Sequence, residues 1–320
     1  MKHFGTTASG QEVHKVTLTG GELTVELLTL GARIHDLRLR GVDYPLTVAA
    51  QSVADYENRE KAIYHGAIVG PIANRIGNAR VRLDGMMYEL ERNEDGARHL
   101  HSGSDGMHAQ VWDVTDRTES GVTMTLKMPD GMAGLPGHRT VTAHFAITPP
   151  ATLTLTLTGI SDTATLMNIA NHSYWNMDGT PRWDGHRLQI AAAHVLPIDN
   201  ATCPTGEVAD VTGSDMDFRR RVVLGPATPP LDHNFCLSSE PVPLRDVLWL
   251  TGTSGVTMTM ATTEPGMQVF DGRPDCQALA LEAQHWPDAP NNSSFPPITL
   301  RPGETYRQTT QWRFNKPGLV

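Results

Sequence analysis

The sequence predicts an all-β fold, built as one large antiparallel β-sandwich, and three observations favour this class. Apolar residues alternate with threonine and other polar residues over many short segments, which is the pattern of half-buried strands. Convincing helical periodicity is nearly absent. The 29 glycines and 22 prolines are spread along the whole chain, as a fold with many turns requires. We find no linker and no internal repeat, so we expect residues 1–320 to form a single domain.

The individual elements follow from the local pattern. Five segments are predicted strands: VTMTLKM (122–128), VTAHFAI (141–147), LTLTLT (153–158), VTMTM (256–260) and TYRQTTQWRF (305–314). In VRLDGMMYEL the phase of the alternation resets across Asp84-Gly85, a preferred two-residue turn, which predicts a hairpin. The segment SVADYENREKA is predicted to form one short helix.

Composition excludes several classes of function. The net charge of −9 and the lack of a Lys/Arg run argue against nucleic acid and anionic membranes as partners. No window approaches the roughly 18 unbroken apolar residues of a membrane span, and the N-terminal segment lacks the apolar stretch of a secretion signal. Cys203, Cys236 and Cys276 are an odd number without a close pair, which indicates free thiols in a reducing compartment. We therefore expect a cytoplasmic protein.

The segment NIANHSYWNMDG (168–179) places His172 in a strongly polar neighbourhood. A buried amide or hydroxyl without a partner costs roughly 1–3 kcal/mol, so a strand core does not carry this many polar groups without a use for them. A single histidine is most often satisfied by backbone carbonyls, and this remains the simpler interpretation. The surrounding polar residues favour a shaped site instead: Asn168, Asn171, Ser173, Tyr174 and Asn176.

Arg75 and the segment His99-Leu100-His101 are further candidates. Arg75 follows the apolar run GAIVG, where its planar fork of donors needs partners such as sugar hydroxyls or a carboxylate, although most arginines are surface cations. In a strand, His99 and His101 point to the same side and can meet one ligand. A metal site is the more specific hypothesis for such a pair, since histidine is a common metal ligand. However, a flexible turn follows and no cysteine is near, so we predict one pocket histidine, one structural histidine and no metal.

Polar residues also border predicted strands in the C-terminal third. Asp232 precedes an apolar run and Gln268 is predicted to begin a strand, although a turn residue and a surface residue are the simpler interpretations. Glu282 directly follows the apolar run 278–281 and is predicted to close a buried strand, where it needs a partner or a role. Trp286 is predicted to stack on the apolar face of a sugar ring or to cap the core.

Taken together, these side chains suit a neutral polyhydroxylated ligand. They supply donors and acceptors for hydroxyl groups and an aromatic face for C–H groups, and no phosphate loop or nucleotide fingerprint accompanies them. They also suit proton transfer, which needs an acid and a base around one small molecule.

The chain resembles the aldose 1-epimerases, or galactose mutarotases, in six ordered blocks that cover nearly its whole length. The blocks are GPIANRIGNARVRLDGMMYELERNEDGARHLHSG, NHSYWNMDG, LPIDNATCPTGEVADV followed by MDFR, LDHNF, TTEPGMQVF, and LEAQHWPDAPNNSSFPPITLRPGETYRQTT. The resemblance implies the large antiparallel supersandwich of that family, in agreement with the alternation.

The resemblance also implies roles for individual residues. His172 would be the general acid and Glu282 the general base of an α/β anomer interconversion that proceeds by ring opening and reclosure, without a metal or cofactor. The substrate-binding residues would be Arg75, His101, Asp232 and Gln268, to which we add Asn74 and Trp286 as candidates. Departures from the family pattern are Pro71, Ser102, Trp175 and short segments before Asp232 and before Glu282.

Two other functions stay open on the sequence alone. A glycoside hydrolase would use two carboxylates, and Glu282 and Asp232 are available. A non-catalytic sugar-binding module would keep the aromatic and hydroxyl-binding residues without an acid–base pair. The expected partner is a monosaccharide; the identity of the aldose, and whether the protein is a monomer or a homodimer, stay open.

Overall fold

The computed structural model describes residues 1–275 and 277–318, and most of its regular structure is antiparallel strand. The strands, numbered in chain order, are β1 (Lys2–Thr6), β2 (Glu12–Gly20), β3 (Leu23–Leu28), β4 (Arg33–Leu39), β5 (Ile68–Val69), β6 (Arg75–Ile76), β7 (Arg80–Leu83), β8 (Met86–Glu89), β9 (His99–Leu100), β10 (Asp113–Arg117), β11 (Gly121–Met128), β12 (Arg139–Thr148), β13 (Thr152–Ser161), β14 (Thr165–Leu166), β15 (Ala170–Asn171), β16 (Tyr174–Trp175), β17 (Arg187–Ile190), β18 (His194–Val195), β19 (Ala209–Asp210), β20 (Val222–Val223), β21 (Asp232–Cys236), β22 (Arg245–Thr251), β23 (Thr257–Thr262), β24 (Gly266–Phe270), β25 (Leu279–Gln284), β26 (Thr299–Leu300) and β27 (Tyr306–Asn315).

The helical elements are short. The α-helix α1 spans Val53–Glu57, within the segment predicted as a helix, and Ser52 caps it by accepting a hydrogen bond from the backbone N–H of Asp55. Turns of 3₁₀ helix are Gly77–Ala79, Gly103–Asp105, Met107–Ala109, Met132–Gly134 and Ala289–Asn291. Within the described part of the chain, no helix has the length and apolar character needed to cross a bilayer.

The strands predicted from alternation are confirmed. In β13, Leu153, Leu155 and Leu157 are buried, while the threonines between them are only half-buried. The predicted hairpin is formed by β7 and β8, and both turn residues, Asp84 (φ 47°) and Gly85 (φ 83°), have the positive φ that a tight two-residue turn requires.

Three sheets enclose one core. Their strand orders are β1-β2-β3-β4, β10-β11-β12-β13-β27-β23-β22-β17-β20 and β16-β25-β24-β21-β18-β19. Inward side chains of all three sheets meet in one hydrophobic cluster that includes Val16 of β2, Leu155 of β13, Leu281 of β25 and Phe314 of β27. The inner faces of the sheets therefore pack as in a sandwich.

The six-stranded sheet has one apolar face and one polar face, and this difference positions the functional residues. Leu281 of β25 and Val269 of β24 point into the hydrophobic cluster. Their neighbours along each strand point the other way, and Glu282, Gln268 and Asn234 lie side by side in register on β25, β24 and β21.

Two predicted positions are corrected by this register. Glu282 does not close a strand but lies within β25, and Gln268 lies in the middle of β24 rather than at its start. The apolar run before Glu282 misled the prediction because β25 is buried on both faces and carries the small Ala280 on its polar face. Cys203 and Cys236 are free and buried, whereas Cys276 lies outside the described residues.

Candidate active site

A pocket of about 180 Å³ opens on the polar face of the six-stranded sheet. Most of the predicted site residues converge on it. Its lining consists of Tyr64, Asn74, Arg75, Leu100, His101, His172, Tyr174, Asp232, Phe270 and Glu282.

The asparagine-rich segment before His172 fixes the backbone. The N–H of His172 donates to Ala67 O (2.8 Å), and its own carbonyl accepts from Gly66 N (2.9 Å). Asn171 donates from its amide to Gly66 O (2.9 Å) and accepts from the hydroxyl of Ser173 (2.6 Å). The amides in this segment thus satisfy local groups, and the imidazole of His172 is left to face the pocket.

Aromatic rings hold the imidazole of His172 in place. The ring of Tyr174 stacks on it with centroids 5.1 Å apart, and the ring of Tyr64 does so at 5.7 Å. Trp175, the next residue in β16, points to the opposite face and packs against Trp312 in the core. The alternation of β16 explains why an aromatic pair follows the histidine, since one ring lines the pocket and the other fills the core.

His172 and Glu282 form the central pair of the pocket. Nε2 of His172 lies 3.5 Å from Oε1 of Glu282, and both side chains are almost fully buried. Burial raises the pKa of Glu282 well above its usual 4.5, with a smaller contribution from the nearby charge of Asp232. Burial likewise lowers the pKa of His172 to about 3. Both shifts favour the uncharged forms, so burial favours the proton of a singly protonated pair on Glu282 rather than on His172.

His101 is fixed as a hydrogen-bond donor toward the pocket. Its Nδ1 accepts a hydrogen bond from the backbone N–H of Asn74 (3.0 Å), so the proton of the neutral ring lies on Nε2. Burial lowers the pKa of His101 well below its usual value, which keeps the ring neutral. Its ring also lies edge-on to that of His172, with centroids 5.1 Å apart.

The trio of His101, His172 and Glu282 has ligand atoms within 4.8 Å of one another, the spacing of a possible metal site. The tautomer of His101 argues against it. In this tautomer Nε2 carries a proton, so it has no free lone pair for a metal ion. In the other tautomer Nδ1 carries the proton, and His101 would lose the hydrogen bond that it accepts from the backbone N–H of Asn74. The donor set fits oxygen-bearing ligands better than a metal ion.

Arg75 organises the opposite side of the pocket. Its Nη1 donates to Asp232 (3.1 Å), and its Nε donates to Glu94 (2.9 Å). Asp232 also accepts from the amide of Gln268 (2.7 Å), and Glu94 also accepts from Arg98 (3.0 Å). These partners hold Arg75 and Asp232 in one geometry, with some surface of both still open to the pocket.

Two predicted site residues, Trp286 and Gln268, lie outside the pocket lining, as does His99. Trp286 packs in a separate hydrophobic cluster, donates from its indole N–H to Pro265 O (3.0 Å) and lies edge-on to Phe295, which matches the core-capping alternative. His99 is buried, and its Nδ1 bonds the carbonyl of Glu91 (2.8 Å). Gln268 reaches the pocket only through Asp232.

Two of the residues that depart from the family pattern, Ser102 and Trp175, also lie outside the pocket lining. Ser102 is buried, and its hydroxyl oxygen accepts from the backbone N–H of Ile72 (2.8 Å). Trp175 lies in the core. Neither lines the pocket, so both shape it only through the segments that they anchor.

Three residues of the site were not predicted from the sequence: Tyr64 and Phe270, which line the pocket, and Glu94, which binds Arg75 without lining it. Tyr64 lies in a segment without strand alternation, and Glu94 pairs with Arg98 across a turn, where acidic residues are common. The only available signal for Glu94 was its position between Arg75 and His101 in one block of the family resemblance.

The fold and the pocket define a β-sandwich protein in which a histidine and a glutamate face one small polar pocket. The sequence profile of the aldose 1-epimerase family matches residues 14–313, and the chain belongs to this family of isomerases. Its mutarotase function follows from this membership.

Curated relatives and solved structures agree with the family. The chain is 33% identical to galactose mutarotase of Homo sapiens over 98% of this chain and 97% of that protein. It is 28% identical to aldose 1-epimerase of Escherichia coli over 95% and 96%. An aldose epimerase homologue from C. elegans superposes with a TM-score of 0.88 at 25% identity, over 95% of this chain and 99% of that chain.

Proposed function

We propose that His172 and Glu282 interconvert the α and β anomers of a free hexose, with galactose the first sugar to test. The distance of 3.5 Å between His172 Nε2 and Glu282 Oε1 carries the proposal. The ring oxygen and the anomeric oxygen of a sugar are bonded to the same carbon. A base and an acid this close together can serve both oxygens at once. The names of the galactose mutarotase relatives support galactose as the substrate.

The proton transfers balance over one cycle. The reaction starts from the form of the pair in which its one proton has moved from Glu282 to His172. Ionised Glu282 then takes the proton of the anomeric hydroxyl while protonated His172 gives a proton to the ring oxygen, and the bond between C1 and the ring oxygen breaks. The product is the open-chain aldehyde, bound between protonated Glu282 and neutral His172. Rotation about C1–C2 turns the other face of the carbonyl to the ring hydroxyl. His172 then takes the hydroxyl proton, Glu282 returns a proton to the carbonyl oxygen, and the ring closes as the other anomer.

The remaining polar groups are proposed to bind the sugar hydroxyls. Nε2–H of His101 is a fixed donor, and Arg75 and Asp232 form a preorganised donor–acceptor pair. Preorganised polar groups lose little free energy on ordering when the ligand binds. Asn74 lines the same pocket and we include it among the binding residues, with Gln268 as the support of Asp232.

The geometry favours this reaction over glycoside hydrolysis. A retaining glycosidase holds two carboxyl groups about 5–5.5 Å apart, and both must exchange protons or bonds with the substrate. Here the partner of Glu282 is a histidine, and Asp232 accepts hydrogen bonds from Arg75 and Gln268. Asp232 is thus poorly placed to serve as an acid.

One experiment tests the proposal. Proton NMR follows freshly dissolved α-D-galactose and α-D-glucose with and without enzyme, and a p-nitrophenyl galactoside is assayed in parallel. We expect faster anomer exchange and no nitrophenol release. Nitrophenol release would instead identify a hydrolase, and tight sugar binding without exchange would identify a binding module.

We further propose that residues 1–320 act as one domain and that one copy of the chain, as a monomer or within a homodimer, suffices for catalysis. The hydrophobic cluster joining all three sheets and the pocket lined by one chain support this. The buried free thiols of Cys203 and Cys236 support a reducing compartment, the cytoplasm. The net charge of −9 supports a small-molecule partner rather than a nucleic acid.

A further inference from the structure

A second group of metal-ligand side chains lies on the first hairpin of the chain. Strands β1 and β2 pair antiparallel, with His3 directly opposite His14. Glu12 lies two residues before His14, so it shares that face of the hairpin. One ligand atom from each of these three residues lies within 4.8 Å of the others. We call this group the hairpin triad.

The two imidazole rings of the hairpin triad are arranged much as two histidine ligands of one metal ion are. Two imidazoles on one tetrahedral zinc ion, with Zn–N bonds of about 2.0–2.1 Å, have ring centroids about 5 Å apart. The rings of His3 and His14 are 6.1 Å apart and nearly perpendicular. Nε2 of His14 lies 3.7 Å from a carboxylate oxygen of Glu12. Small side-chain rotations, which cost little at an exposed site, bring all three atoms within bonding distance of one ion.

The surroundings keep these ligands available. The backbone of His14 is fixed, since its N–H donates to Thr29 Oγ1 (2.9 Å). Within the described residues, the only polar partner of a ring nitrogen in the triad is Glu12 itself. The nearest cation on β2, Lys15, is paired with Glu26 (2.8 Å), which reduces its repulsion of a bound cation.

We propose that the hairpin triad binds a divalent transition-metal ion, with Zn²⁺ as the best fit. Two imidazole nitrogens and one carboxylate oxygen form a donor set typical of zinc, and water completes a four-coordinate site. Magnesium and calcium prefer all-oxygen ligand sets, so the triad selects against both.

The bound ion clamps the first strand to the fold. Strand β1 lies at the edge of its sheet and pairs only with β2. Phe4, on the opposite face of β1, packs against the small cluster that contains Val13 and Tyr56. An ion held by one ligand on β1 and two on β2 binds only the paired state, so it stabilises the hairpin by mass action.

The hairpin triad is separate from the catalytic pocket, because none of its residues lines that pocket. Metal binding there is therefore expected to change stability and not turnover. Its affinity is also expected to fall at acidic pH, since both imidazoles must be unprotonated to bind the ion.

Zinc chloride titration of the full chain without a polyhistidine tag tests the proposal. Calorimetry compares the wild type with His3→Gln, His14→Gln and the control His138→Gln, an exposed histidine outside the triad. His172→Asn is a second reference, because it disrupts the other three-residue group and leaves the hairpin intact. We expect one zinc site in the wild type and both references, weakened about tenfold or more in His3→Gln and His14→Gln.

Thermal unfolding and activity complete the test. Zinc should raise the Tm of the wild type and of His138→Gln but not that of His14→Gln, while kcat of metal-free His14→Gln stays at the wild-type value. Circular dichroism confirms that the variants fold. If His3→Gln and His14→Gln bind zinc as tightly as His138→Gln, the hairpin triad is not a metal site.

Discussion

Nε2 of His172 and Oε1 of Glu282 lie 3.5 Å apart at the pocket, whereas His172 Nδ1 and Glu282 Oε2 are buried in the protein. In the described residues, neither His172 Nδ1 nor Glu282 Oε2 has a hydrogen-bond partner. Each side chain therefore presents one exchangeable atom to the pocket. Such an arrangement directs proton transfer to a single place, between the two atoms that face a bound sugar.

Removing either member of this pair should abolish most of the activity. General acid or base catalysis contributes typically 10²–10⁴-fold per group, so Glu282→Gln and His172→Asn should each lower kcat by about 10²-fold or more. Residues that act as a unit are not additive, so the double variant should lose much less than the product of the two single losses. Polarimetry on the α-sugar, corrected for spontaneous mutarotation, measures the effect.

The chain contains a matched control for these variants. Glu264 is fully buried and its carboxylate lies 3.7 Å from Nε2 of His285, so it forms a second glutamate–histidine pair outside the pocket lining. Glu264→Gln should therefore keep kcat near the wild-type value. Near-wild-type turnover of folded Glu282→Gln would instead show that the base is misassigned, and Asp232 would be the next carboxylate to test.

Strands β13 and β25 show what the sequence could and could not predict. Thr156 lies on the half-buried face of β13, and Glu282 lies on the polar face of β25. Strand β13 alternates because one face is buried and the other is only half-buried, so its pattern alone predicts the strand and its orientation. Strand β25 is buried on both faces, and its polar face holds the pocket, so alternation could not place Glu282. The partners of Arg75 are 19 and 157 residues away along the chain. Such long-range contacts leave no local pattern, and only the family resemblance linked these positions.

In the pH profile of kcat/KM, we expect His172 to determine the acid limb and Glu282 the alkaline limb, the reverse of the order that ordinary pKa values would give. An acid limb from Glu282 and an alkaline limb from His172 would follow from ordinary pKa values. Burial raises the pKa of Glu282 well above 4.5 and lowers that of His172 to about 3, so the singly protonated pair carries its proton mainly on Glu282. We expect kcat/KM to fall at low pH, where His172 is protonated and the pair holds two protons. We also expect it to fall at high pH, where Glu282 is ionised and the pair holds none.

Infrared difference spectroscopy checks this assignment directly. At about pH 6 the ligand-free wild type should show the C=O band of a protonated carboxyl group that Glu282→Gln lacks. Glu264→Gln is the control, since burial also raises the pKa of Glu264, to about 8, and we expect it to contribute a separate band at this pH. A carboxylate band assigned to Glu282 at this pH would contradict the reversed order.

Activity should not depend on a metal ion. Nε2 of His101 carries its proton because Nδ1 accepts the backbone N–H of Asn74, so the pocket presents a donor where a metal would need a lone pair. We expect the rate of anomer exchange to be unchanged in EDTA, even if EDTA lowers the Tm by removing an ion from the hairpin triad. Loss of activity in EDTA that zinc restores would revive the metal hypothesis for His101, His172 and Glu282.

Arg75 and Asp232 should determine how the enzyme distinguishes sugars. Because their paired side chains are proposed to bind hydroxyl groups, Arg75→Ala and Asp232→Asn should change kcat/KM by different factors for epimers that differ at one hydroxyl. Arg98→Ala is a suitable control, since Arg98 binds the same Glu94 without lining the pocket. Equal losses for galactose and glucose would indicate that both residues are purely structural.

Stability should fall as the pH rises toward 8, and Glu264 should account for part of the fall. Burial raises its pKa from 4.5 to about 8 in the folded state. Between these values the native protein holds a proton that the unfolded chain has released, so the free energy of unfolding decreases by about 1.4 kcal/mol per pH unit for this group. Glu264→Gln removes the titration, so its stability should decline less steeply between about pH 7 and pH 8.

Urea unfolding at several pH values measures the slope, with exposed Glu60→Gln as the control. Glu282 and Asp288, whose pKa values burial raises in the same direction, should contribute to the slope that remains in Glu264→Gln. Parallel curves for Glu264→Gln and the wild type would mean that the buried Glu264 is already ionised through its pair with His285.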